Sequence, residues 1–215
     1  MHGLFITFEG PEGGGKSTQI ERCAEWLTSE SYSVLVTREP GGRHALGEGV
    51  RNILLEGEPV VPLAEMFLFL ADRAQHVAQV IVPALERGEI VLCDRHADST
   101  TVYQGIARGL GRERAEELNR WATGGLEPDL TILLDIEPRA GLARLSNLDR
   151  LDREALDFHR AVREGFLALA AENPRYRVID ASQSPDEVAS LTRQAIAALL
   201  SARGYNRVTP TQEGP

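Results

Sequence analysis

The sequence predicts an α/β fold: a P-loop three-layer architecture with a five-stranded parallel sheet and helices on both faces. Three observations carry this expectation. The run Leu4–Phe8 leads into Gly10-Pro11-Glu12-Gly13-Gly14-Gly15-Lys16-Ser17-Thr18, which fits G-x-x-x-x-G-K-[ST], and Ile20, Cys23, Ala24 and Leu27 follow at helical spacing. Ile90–Cys93 and Leu130–Leu134 are continuous apolar runs, the pattern of strands buried on both faces. Strand-like and helix-like segments alternate without an internal repeat or a dividing linker, so 1–203 reads as one domain and 204–215 as a polar tail.

Each element has its own justification. Leu4–Phe8 is apolar and β-branched, and the glycine-rich turn after it lets successive backbone N–H groups face a phosphate chain without Cβ atoms in the way. Lys16 adds a cation at the β/γ-phosphates, and the Ser17 hydroxyl is placed to hold Mg²⁺. Ser33–Thr37 reads as the second strand, ended by Pro40-Gly41-Gly42. His44–Glu56 is helical, with Leu46, Val50, Ile53 and Leu54 on one side, and Gly57 and Pro59 break it. A long helix spans Pro62–Arg87, closed by Gly88 and bent by Pro83. The third strand, Ile90–Cys93, ends at Asp94-Arg95. Helices over Ser99–Ala107 and Arg112–Ala122 are divided by Gly109 and Gly111. Leu130–Leu134 ends at Asp135, a helix starts over Arg139–Leu145, and a charged stretch follows from Asn147 to Arg153. A helix over Glu154–Glu172, a fifth strand over Tyr176–Ile179 and a last helix over Pro185–Ala202 complete the pattern.

Composition narrows the function. At 215 residues the chain is long enough for a substantial core. A net charge of −9 argues against nucleic acid as a main partner, because phosphate backbones recruit basic faces; a nucleotide needs only a local cationic pocket. Cys23 and Cys93 carry no metal or disulfide spacing and read as buried thiols. No stretch suits a membrane span or a signal segment, so a cytoplasmic enzyme without a membrane partner is expected.

In open parallel sheets ligands bind beyond the carboxyl ends of the strands, so Glu12, Arg38, Asp94 and Arg95 gather near the phosphate loop by topology. Asp94 has the form of the acidic residue that orients Mg²⁺ in phosphate-loop enzymes, with Asp135 as its rival; the neighbouring Arg95 favours Asp94, since it suits two anionic substrates approaching each other. Arg38, Arg51, Arg73 and Arg95 are four forks for a second phosphate, although any one alone reads as a surface ion pair. Phe69 and Arg73, four apart, share a helix face and make a ring-plus-donor pair for a base. Ser99, Thr100, Tyr103 and Gln104 form a polar series just past Arg95.

Together these residues resemble thymidylate kinase of the bacterial type, within the nucleoside monophosphate kinases. The resemblance covers residues 3 to 200 and rests on F-E-G-P-E-G-G-G-K-S-T, T-R-E-P-G-G (37–42), F-L-A-D-R-A-Q (69–75), D-R-H-A-D-S-T-T-V-Y-Q-G (94–105), P-D-L-T-I-L-L-D (128–135) and L-D-R (148–150). It implies transfer of a phosphoryl group from ATP to dTMP, with Mg²⁺, in a homodimer. Residues 10–18 would cradle the ATP phosphates; Arg38, Arg51 and Arg95 would hold the dTMP phosphate. Phe69 would stack on thymine, Arg73 would bond its edge, and Ser99, Thr100 and Gln104 would complete the base pocket. Tyr103 would crowd the 2′ position, Glu12 would face the 3′-hydroxyl, and Ala181-Ser182-Gln183 would border the adenine. Relatives whose phosphate loop lacks an arginine, as here, carry arginines in the lid. With 145–153 as the lid, Arg144 and Arg150 are expected at ATP, Arg150 as the main closing residue and Arg153 as its helper. Guanylate kinase, the nearest rival, shares the loop but not T-R-E-P-G-G. A GTPase would need N-K-x-D, which is absent, and D-x-x-G after strand three, where Ala97 stands instead.

Overall fold

The structure is a computed structural model that describes residues 3–147 and 149–205. Five strands, β1 (Leu4–Glu9), β2 (Val34–Arg38), β3 (Ile90–Asp94), β4 (Leu130–Asp135) and β5 (Tyr176–Asp180), form one sheet in the order β2-β3-β1-β4-β5. Every pairing is parallel, with Phe8 level with Asp94 on one side and with Ile132 on the other. The strand order reverses around β1, and the loop after β1 therefore opens into the crevice between the two halves. Each strand runs one residue past its apolar run, so Glu9, Arg38, Asp94, Asp135 and Asp180 stand at the carboxyl edge.

Helices cover both faces. On one, α1 (Lys16–Ser29) and α9 (Pro185–Ala202) pack Ile20, Cys23, Leu27, Val188 and Ile196 against Ile6, Phe8, Leu92 and Ile132. On the other lie α3 (Pro62–His76), α4 (Val82–Glu86), α6 (Arg112–Thr123) and α8 (Leu156–Glu172), with Phe5, Val91 and Leu133 of the sheet beneath them. The short helices α2 (Ala45–Arg51), α5 (Ala97–Thr100) and α7 (Pro138–Leu142) start close to the carboxyl edge.

The helix boundaries differ from expectation where the chain widens. α2 continues as a π-helical turn at Asn52–Glu56, and α5 does so at Thr101–Ala107. Pro83 does not simply bend one long helix: a π turn at Val77–Ile81 divides α3 from α4 and takes up the ring and the missing N–H. α8 begins at Leu156 rather than Glu154, because 149–152 form a turn of their own. The Leu151 and Asp152 N–H groups donate to Asp149 Oδ1 at 2.8 and 3.0 Å, and the Asp149 N–H donates to Asp152 Oδ2 at 2.9 Å. Leu148 of the L-D-R motif and residues 206–215 of the expected tail lie outside the described residues.

Candidate active site

The phosphate loop is fixed by contacts that only glycine permits. Gly13 has φ +68°, and a Cβ there would sit 1.9 Å from the Gly141 carbonyl oxygen; a Cβ on Gly141 would sit 2.2 Å from that of Glu12. The loop thus packs backbone to backbone on α7, and position 13 has no room for a side chain of any kind. Lys16 is buried, and its Nζ donates to the Gly10 and Pro11 carbonyls at 3.0 and 2.8 Å, which holds it curled inside the loop. Burial, reinforced by the nearby Arg95 charge, pushes the Lys16 pKa down to about 8 against the pull of Asp94, Glu12 and Glu9.

Two cavities meet at this loop. One, of about 540 Å³, is lined by residues 13–19, Arg144, Leu145, Ala181, Gln183, Pro185 and Val188. The other, of about 280 Å³, is lined by all ten residues expected to hold a nucleoside monophosphate: Glu12, Arg38, Arg51, Phe69, Arg73, Arg95, Ser99, Thr100, Tyr103 and Gln104. Gly13, Lys16, Ser17 and Leu145 belong to both walls. The two chambers therefore face one another across the lysine.

Arg95 stands where they join, with φ +66°, a conformation a non-glycine residue adopts at a cost of about 1–3 kcal/mol. Its N–H bonds the Phe8 carbonyl at 3.0 Å, and its guanidinium donates to Gly10 O (3.2 Å), Ser99 Oγ (3.3 Å) and Glu12 Oε1 (3.1 Å). It also lies 5.0 Å from the centre of the Tyr103 ring. Tyr103 donates its hydroxyl to the same Glu12 oxygen at 2.5 Å. Burial alone would raise the Glu12 pKa, but Arg95, His159, Lys16 and Tyr103 hold it down at about 2, so this carboxylate stays ionised.

Of the two strand-end aspartates, Asp94 accepts a hydrogen bond from Ser17 Oγ at 2.8 Å, whereas Asp135 is clamped by the Arg163 fork at 2.7 and 2.8 Å. The Ser17–Asp94 pair presents adjacent oxygens, which fits Mg²⁺ completed by phosphate oxygens and water.

Arg73 is less free than expected. It is 1% exposed, and four of its five N–H donors are spent on Glu39 (2.8 Å), Thr100 (2.9 Å), Asn119 (2.7 Å) and the His96 carbonyl (3.0 Å). Its partner Glu39, from T-R-E-P-G-G, is the residue sequence reasoning missed: His76 and His96 each bring Nδ1 to its other oxygen, at 2.8 and 2.9 Å. Burial opposes the charge, yet Arg73 and the two histidines hold Glu39 well below the usual carboxylate range. Glu9, also missed, accepts from the His96 N–H (2.8 Å) and Ser99 Oγ (2.6 Å), and burial with the nearby Asp98 charge lifts its pKa to about 7. The signal for Glu39 was its place inside a specific motif; for Glu9, its place at a strand end just before the loop.

Three expectations need correction. Arg150 does not face the phosphate loop: Nε donates to the Leu54 carbonyl at 2.8 Å and Nη2 to Glu65 Oε2 at 2.5 Å, which ties it to the π turn after α2 and to α3. The buried Glu65 carboxylate, also held by Arg108 and Gln104, outcompetes an open site for that fork. Arg153 is exposed and lines neither cavity. Ser182 turns back on Asp180, donating its hydroxyl at 2.6 Å, and leaves Gln183 on the cavity wall. Arg144 does reach the loop, donating to the Gly13 and Ala181 carbonyls at 3.3 and 2.9 Å.

Comparison with known proteins gives the same direction throughout. A family model described as thymidylate kinase matches residues 8–213. A thymidylate kinase of Desulfovibrio desulfuricans is 51% identical over 214 residues, covering 94% of this chain and 98% of the relative. One from Synechococcus sp. (strain JA-3-3Ab) is 55% identical over 188 residues, 87% of this chain and 92% of the relative. The crystal structure of thymidylate kinase from Ehrlichia chaffeensis superposes with a TM-score of 0.77 at 34% identity, covering 92% of this chain and 99% of that one.

The depressed Lys16 pKa generates a prediction. A phosphate chain favours the ammonium form, so above about pH 8 binding must first protonate the lysine. The ATP Kd, measured calorimetrically, should be flat between about pH 6.5 and 7.5 and rise up to about tenfold per unit above about pH 8. A Kd unchanged at about pH 9.5 contradicts that reading of Lys16.

Proposed function

The chain belongs to the thymidylate kinase family, and from that premise we propose that it phosphorylates dTMP to dTDP with Mg-ATP as donor, as follows. The observation that carries the assignment of the two chambers is the walling of one small cavity by all ten acceptor residues, with Lys16 and Ser17 shared with the larger one. ATP occupies the larger cavity with its phosphates on residues 10–18 and adenine beside Gln183. The dTMP phosphate meets Arg38, Arg51 and Arg95, the base stacks on Phe69, and the last free N–H of Arg73 meets its edge. Thr100 and Asn119 then act by aiming Arg73, and Gln104, with Ser99, completes the pocket.

The charges suit this division. Burial and the like charge of Arg38 lower the Arg51 pKa, the mark of two guanidinium groups waiting for an anion. The attacking group is itself an ionised phosphate, so no general base is required. The protein's task is to align two phosphates and neutralise the transferring group. With position 13 closed to side chains, Arg144 is the donor-side cation in this reading. Ser17 and Asp94 would hold Mg²⁺, which would neutralise charge on the donor phosphates. Tyr103, fixed by Glu12, leaves no room for a 2′-hydroxyl, and Glu12 takes the 3′-hydroxyl.

A coupled ADP-release assay across the nucleoside monophosphates tests the reaction. dTMP should be the preferred acceptor, with turnover abolished without Mg²⁺. ATP hydrolysis unaffected by any monophosphate would sink the kinase reading.

Assembly as a homodimer is part of the proposal. No helix among the described residues is long and apolar enough to cross a membrane, yet the adjoining helices α2, α3 and α6 leave Leu46, Phe67 and Trp121 exposed, Trp121 by 79%. Sedimentation should give a dimer at micromolar concentration and a monomer for Phe67→Asp. A monomer in both samples refutes the assembly. The cytoplasm is the proposed setting.

A further inference from the structure

His159 on α8 has no part in the scheme above, yet it sits against the phosphate loop. Its side chain is 1% exposed, and Nδ1 lies 3.5 Å from Glu12 Oε2. Among the described residues neither imidazole nitrogen makes a full hydrogen bond, and neither does Glu12 Oε2. Buried polar atoms are nearly always paired, so three unpaired ones on two facing groups need an explanation. At 3.5 Å the two attract but fall short of a full hydrogen bond.

The two oxygens of Glu12 are treated differently. Oε1 accepts from Tyr103 and Arg95 and is tied to the acceptor side; Oε2 is turned to α8 and left open. The charge and backbone of Asp152 also act on the imidazole from another element. Glu12, first by direct contact and then by charge, and Asp152, by its backbone and its charge, raise the His159 pKa, while burial opposes them. Asp152 also lines the smaller cavity. His159 thus stands between the phosphate loop and the turn that borders the acceptor.

We propose that His159 is a positioning residue for the acceptor sugar: when dTMP fills the cleft, its Nδ1–H closes onto Glu12 Oε2 and locks the carboxylate beneath the 3′-hydroxyl. The proposal rests on the reading of Glu12 as the partner of that hydroxyl. Filling the cleft expels water, which strengthens the contact between imidazolium and carboxylate. Oε1 then remains with Arg95 and Tyr103, and the position of the sugar is set by a carboxylate held at both ends. A packing role alone would require only the ring's shape, which touches Phe158 edge-on at 5.6 Å between centroids.

The test compares kcat and KM for dTMP and for its 3′-deoxy analogue in the wild type, Glu12→Gln, His159→Phe, His159→Asn and His159→Gln, with thermal melting of each. Glu12→Gln should abolish the preference for the 3′-hydroxyl. His159→Phe should reduce that preference about tenfold, chiefly through KM for dTMP. His159→Asn, whose Nδ2 stands as many bonds from Cβ as Nδ1 does, should restore most of it, whereas His159→Gln, one methylene longer, should not. In the His159→Phe/Glu12→Gln double variant the loss should not exceed that of Glu12→Gln alone. If Glu12→Gln loses the preference while folded His159→Phe and His159→Gln keep it, the inference is overturned and the Glu12 reading stands. If Glu12→Gln itself keeps the preference, both fall. Should His159→Phe not fold, the Gln and Asn variants decide, and equal preference in the two overturns the proposal.

Discussion

The contact between Glu12 and Arg95 is the interaction on which the site depends. One residue belongs to the loop after β1, the other to the end of β3, and their 3.1 Å pair, completed by Tyr103, fixes the relative position of the two chambers. A carboxylate inside a phosphate-binding loop is unfavourable beside an incoming anion unless its charge is already met. Here the Arg95 guanidinium, Tyr103 and the nearby Lys16 ammonium meet it, and Glu12 stays ionised at a place where a sugar hydroxyl can approach. The same arginine serves the acceptor phosphate in the proposed reaction, and its left-handed backbone conformation brings its guanidinium to that junction.

Around this pair, a second buried network holds the base side. Glu39 gathers Arg73, His76 and His96, and Arg73 in turn reaches Thr100 and Asn119. A buried guanidinium with four donors spent is held in one orientation, so its remaining donor is aimed rather than searching. Rigidity there and a close backbone contact at Gly13–Gly141 leave Arg144 as the loop's exposed cationic neighbour. The phosphate loop cannot supply that charge from position 13 for a purely steric reason.

The fold was readable because buried parallel strands leave continuous apolar runs and glycines mark the loops between them; each strand was found within a residue or two. The grouping of the residues that line the smaller cavity was readable because their motifs are specific and topology gathers strand ends. What escaped was partner choice among charges. Arg150 looked like a closing cation from its place in the expected lid, yet Glu65, 85 residues away, claims it through a 2.5 Å bond. Arg73 looked like a free fork, yet four of its five donors are braced and one is left. His159 is one residue of an amphipathic helix pattern, and nothing local marks which histidine faces a carboxylate across the fold. π-helical turns escaped for a similar reason: the extra residue per turn leaves the apolar periodicity of a short helix almost unchanged.

The central claim, that Arg95 joins the acceptor to the transferring group, is tested most directly by the single-turnover rate of phosphoryl transfer in Arg95→Gln at saturating ATP and dTMP. The expected fall is about 10³-fold or more, with ATP affinity nearly unchanged, because the lost contacts matter most as charge moves between the phosphates. A folded variant that transfers within about tenfold of the wild-type rate would contradict it.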